Sequence, residues 1–121
     1  MQSYSKGEMT MKKFFVMLTA LSAMMLVSLA QAADYYVEVT NRTGYTIYYL
    51  YVSPDDSTSW EEDVLGSQVI SSGETVRVDL NGYRSPIFDI KAVDNEGDEY
   101  IFWNVDVSRQ DITVTLDDLV R

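Results

Sequence analysis

The chain has 121 residues, a formal net charge of −10, and neither histidine nor cysteine. This removes disulfide staples, thiol chemistry, the zinc-ligand patterns built on Cys and His, and the commonest general base. The acidic balance argues against nucleic acid, which demands a basic stripe to track phosphates, and against an anionic membrane surface.

The first element in chain order is a leader. Lys12 and Lys13 precede a run of 17 uncharged residues from Phe14 to Ala30, and Ala30-Gln31-Ala32 places small residues where a signal peptidase reads. The expected signal peptide is 1–32, with Met11 a more ordinary start than Met1, so that 1–10 lies upstream of the functional leader. A membrane anchor is the competing reading, because spans take roughly 17 to 25 apolar residues. Cleavage after Ala32 removes Lys6, Lys12, Lys13 and Glu8 and leaves 89 residues with 18 acidic and 6 basic side chains, a net charge of −12. The mature chain is expected in the periplasm or secreted.

From Tyr35 to Ser53 the sequence reads as a strand, a turn at Asn41-Arg42-Thr43-Gly44, and a second strand. Six of the nine tyrosines lie here, among β-branched residues that suit a pleated surface, and the pattern predicts a hairpin. In the second strand Tyr48, Leu50 and Val52 alternate with Ile47, Tyr49 and Tyr51. Pro54 ends it, and Pro54 to Asp63 reads as an acidic loop carrying Trp60. Trp60 is expected to fold back and plug the edge of the core. Val64 to Ile70 is ambiguous between a short strand and a crossing segment.

After the turn at Ser71-Ser72-Gly73, Val76, Val78 and Leu80 alternate with Thr75, Arg77 and Asp79, the signature of a strand with one face in the core. Phe88, Ile90 and Ala92 alternate with Asp89, Lys91 and Val93 in the next. The loop Asp94 to Asp98 leads to a strand from Tyr100 to Val107, where Ile101, Trp103, Val105 and Val107 share one side. Ile112, Val114 and Leu116 mark the last. Short strands about ten residues apart, without an amphipathic helix, predict an all-β, single-domain antiparallel β-sandwich over 33–121, with about six or seven strands and an immunoglobulin-like or C2-like outline. A small barrel is the alternative.

Three chemistries can be argued from these residues. Asp94, Glu96 and Asp98 set carboxylates around Gly97, as a calcium site requires, although Asp-Asn-Glu-Gly is equally a hairpin turn. Tyr49, Tyr51 and Trp60 could present rings to a partner, since aromatic side chains give rigid contact area, or they could serve the core. A pair of carboxylates could run glycoside hydrolysis, but so many acids make a pair uninformative. The leading expectation is a non-enzymatic binding module for a basic protein or another envelope component, with calcium as a candidate cofactor.

The segments Asn41-Arg42-Thr43-Gly44-Tyr45-Thr46-Ile47, Tyr51-Val52-Ser53-Pro54, Trp60 with Asp63-Val64-Leu65-Gly66, Ser72-Gly73-Glu74 and Phe88-Asp89-Ile90 together resemble a group of small exported bacterial all-β proteins of unknown function. The resemblance implies export and a compact β fold, and it implies no activity. Proteins of that group carry a cysteine pair near the last strands, which this chain lacks.

Overall fold

The computed structural model describes residues 32–121. The leader expected at 1–32 lies outside the described residues except for Ala32. Among the described residues six strands follow in order, β1 (Ala33–Asn41), β2 (Ile47–Pro54), β3 (Thr75–Tyr83), β4 (Ile87–Asp94), β5 (Glu99–Asp106) and β6 (Ile112–Val114), with a 3-10 turn at Leu116–Asp118. They form two three-stranded sheets, ordered β3-β1-β6 and β2-β4-β5, which pack on each other as a small β-sandwich. All neighbours run antiparallel except β1 and β6, which are parallel over Val39–Asn41 and Ile112–Val114. Among the described residues no helix is long and apolar enough to cross a membrane.

The core is the sum of the alternating positions. Val37 and Val39 of β1, Val78 and Leu80 of β3, and Ile112 and Val114 of β6 meet Leu50, Val52, Phe88, Ile90 and Ala92 of the other sheet. Each fully buried Val, Leu, Ile or Phe contributes about 1.5–3 kcal/mol of transfer free energy. With no cysteine in the chain, this packing has no covalent assistance.

The expected β1–β2 hairpin is instead a corner, because β1 and β2 belong to different sheets. The cause is Asn41, which is fully buried. Its Nδ2 donates to the carbonyls of Tyr45 (2.6 Å) and Ile70 (2.8 Å), and its Oδ1 accepts from the Thr43 N–H (3.0 Å) and hydroxyl (2.8 Å). One side chain thus satisfies the backbone that a hairpin ladder would otherwise have paired. Gly44, at φ 87°, completes the reversal, in a region where a Cβ is disfavoured.

Two bulges shift the expected faces. Ile47 opposes Asp94 and Tyr49 opposes Val93, so Tyr48 is an extra residue in β2. Ile47 therefore turns into the core with Leu50 and Val52, and Tyr48 turns out. In β5, Val105 opposes Phe88 and Phe102 opposes Ile90, which leaves Trp103 and Asn104 together opposite Asp89. Asn104 has φ 56°, and its N–H donates to Asp89 Oδ1 at 2.8 Å. The extra residue reverses the phase. Tyr100 and Phe102 point inward before the bulge and Val105 after it, so Ile101 and Trp103 do not share the core side with Val105 and Val107.

Val64 to Ile70 is the crossing segment, not a strand. It pairs with β2 at an isolated bridge, Ile47–Ile70, follows another at Tyr51–Asp63, and anchors itself with buried Leu65 and Ile70. Leu116 is exposed, because Thr115 caps the 3-10 turn and ends the alternation.

Candidate aromatic binding face

The two acidic loops lie at opposite ends of one sheet. Asp94 pairs with Ile47 at the start of β2, and Phe88 pairs with Pro54 at its end. Eight residues of strand separate them by about 24 Å, so no single ion can use both. Within the 94–98 turn, Asp94 is buried, and its carboxylate accepts the N–H groups of Glu96 (2.8 Å) and Asp98 (3.0 Å) at Oδ1 and the Tyr100 hydroxyl (2.7 Å) at Oδ2. It is the organiser of the turn. Glu96 and Asp98 are exposed at the tip, and among the described residues no three His, Cys, Asp or Glu side chains converge as metal ligands. Burial, followed by the hydrogen bond to Asp94, raises the Tyr100 phenol well above its usual range.

Asp63, in the other acidic loop, has a comparable role. Its Oδ1 accepts from the Leu50 N–H (2.9 Å) and the Leu65 N–H (3.0 Å), fastening the loop to the free edge of β2.

The aromatic residues behave differently. Because Leu50, Val52, Ile90 and Ala92 face inward, the other parity of the same sheet faces out, in the cross-strand rows Tyr49–Val93–Glu99 and Tyr51–Lys91–Ile101. The next position carries Asp89 and, opposite it, Trp103. Trp60 folds back from its loop, as expected, but onto this outer face and not onto the edge of the core. Its ring lies 6.4 Å from Tyr51 and 5.7 Å from Trp103, centroid to centroid. Lys91 Nζ stands 5.1 Å from the Tyr51 centroid and 5.2 Å from that of Trp60, and reaches Glu99 at 3.9 Å. Tyr49 is exposed and packs edge-on against Tyr48 (6.5 Å).

The structure therefore brings Tyr51 and Trp60 together and sets Tyr49 beside them at the next outward position of β2. It adds Trp103, 61% exposed, which the alternation places on one side with Ile101, Val105 and Val107. The missed signal is Asn104, since an Asn inside a strand marks a candidate left-handed bulge residue. Beside the two indoles lies a cleft of about 160 Å³ lined by Ser53, Pro54, Ser57, Ser59 and Asp89 among others.

Comparison with known proteins adds no assignment: no protein-family model matches the chain, and neither a curated protein nor a solved structure does. The motif residues Asn41, Thr43, Gly44 and Asp63 hold the corner and a loop, so they serve the fold.

Proposed function

We propose that this protein is an exported, non-enzymatic β-sandwich that binds a protein or another envelope component through the outer face of the β2-β4-β5 sheet. The observation that carries this reading is Trp103. A large ring at 61% exposure, held in place by a bulge and continued by Trp60 and Tyr51, has little burial to justify it and is the composition of an interface centre. The absence of His and Cys from the sequence favours binding over catalysis. The apolar run and Ala-x-Ala site ahead of the domain support export.

The test is recovery of partners from an envelope extract by the wild type and by the double variant Tyr49→Ala, Trp103→Ala. The expected result is a partner retained by the wild type and lost by the variant. Identical recoveries would remove this face from consideration.

A further inference from the structure

We infer that the cleft beside Trp60 and Trp103 receives a cationic side chain, a guanidinium or ammonium group, from a basic protein partner. This rests on the binding role just proposed and specifies its chemistry.

The aromatic row already holds one cation. Lys91 places its ammonium within 5.1 Å of Tyr51 and 5.2 Å of Trp60, in the range where the negative face of a ring attracts positive charge. Trp103 continues the row past Lys91 and stands next to a carboxylate. Asp89 Oδ1 is held by the Asn104 N–H, while its Oδ2 makes no hydrogen bond among the described residues. An indole beside a carboxylate oxygen suits a guanidinium, which stacks and donates at once.

Two of the four hydroxyls that line the cleft are engaged. Ser53 Oγ accepts the Glu61 N–H (2.9 Å), and Ser57 Oγ donates to the Ser59 carbonyl (2.9 Å). The rings of a neutral sugar stack best on a flat platform. Here the two indoles are inclined by 31°. At about 160 Å³ the cleft fits a side-chain head group, well below the roughly 300–1,000 Å³ of drug-sized pockets. Charge points the same way. The loop that supplies Trp60 carries Asp55, Asp56, Glu61 and Glu62, in a domain with a net charge of −12, so a cation is drawn in and an anion repelled.

Both tryptophans of the chain lie in this site, so intrinsic tryptophan emission reports on it without a label. The expressed protein is titrated with acetyl-tetra-arginine amide at fixed ionic strength, with cellotetraose as the neutral-sugar probe. Saturable change with the peptide is expected, weakened roughly tenfold by Asp89→Asn and by Trp103→Ala. Asp89→Asn keeps an oxygen for the Asn104 N–H and removes only the charge. Asp34→Asn, an exposed loss of the same charge on the other sheet, should leave the affinity unchanged. Equal weakening by Asp34→Asn would show bulk charge attraction and overturn the inference. A response to cellotetraose alone would make the face a sugar platform, which also overturns it while sparing the binding role. If neither probe responds but envelope recovery still depends on Trp103, the cation site is refuted and the proposed function stands. If recovery is also unchanged, both fail.

Discussion

At one end of the sandwich Asn41, Thr43, Asp94 and Tyr100 hold polar atoms out of solvent, while on the outer face of the β2-β4-β5 sheet Tyr49 and Trp103 hold aromatic rings in it. Both arrangements reverse the usual sorting of side chains. They differ in how completely the exception is compensated. Every side-chain donor and acceptor of Asn41 has a partner, as do both oxygens of Asp94, so the buried polar end is explained by the backbone it pairs. The exposed rings satisfy nothing comparable inside the molecule. A compensated exception is a device of the fold, and an uncompensated one is where to seek a partner.

Among the polar side chains, the largest effect should come from Asn41→Ala. It leaves the buried Thr43 N–H without its acceptor, at about 1–3 kcal/mol, and removes one of two donors from each of the Tyr45 and Ile70 carbonyls, at about 0.5–1.5 kcal/mol per bond, their other donors being the Thr43 hydroxyl and the Ile47 N–H. A loss of ~3 kcal/mol is expected in urea unfolding, a large share of the roughly 5–15 kcal/mol typical of a domain. A loss below about 1 kcal/mol would mean that the corner forms without this side chain, and the proposed reason for the sheet crossing would be wrong.

Tyr100→Phe should come next, at about 2 kcal/mol near neutral pH, since the lost bond goes to a carboxylate. Its pH dependence separates hydrogen bonding from packing. The folded-state phenol titrates above its unfolded value of about 10, so the native state keeps its proton after the unfolded state has lost one. Stability from this group is therefore complete below about pH 10 and declines as pH rises through the folded value, by at most about 1.4 kcal/mol per pH unit. Wild type should lose stability above pH 10 faster than Tyr100→Phe. Parallel curves would show that the phenol ionises as readily in the folded protein as in the unfolded chain.

Much of this molecule was legible in its sequence. The strict alternations in β3, β4 and β6 gave those strands and their core faces, because a period of two leaves a half-buried strand little freedom. What escaped depended on single polar side chains. Asn41 reads as a turn residue, but only its tertiary bond to the Ile70 carbonyl, 29 residues away, turns a hairpin into a corner. Asn104 and Asp89 settle the phase of β5 through one hydrogen bond across the bulge, and with it the side on which Trp103 emerges. Local pattern carries no record of such partners. Of the aromatic face, Tyr49, Tyr51 and Trp60 could be singled out from sequence, whereas Trp103, Lys91 and Asp89 required the strand register.

The smallest effect on stability should be that of Trp103→Ala, and it bears most directly on the contrast between the two regions. If the ring serves the fold, truncation should cost what a buried aromatic costs, about 3–5 kcal/mol. With 61% of its surface in solvent and Trp60 as its main ring contact, it should forfeit less than about 1 kcal/mol, the range of one aromatic pair. Phe88→Ala, at a fully buried position of the same sheet, sets the scale. An unfolding midpoint for Trp103→Ala close to wild type, with Phe88→Ala far below both, would place the ring outside the structural account and leave recognition as its use. Comparable losses in the two variants would make Trp103 a packing residue like Phe88, and the uncompensated exception on which the binding role depends would disappear.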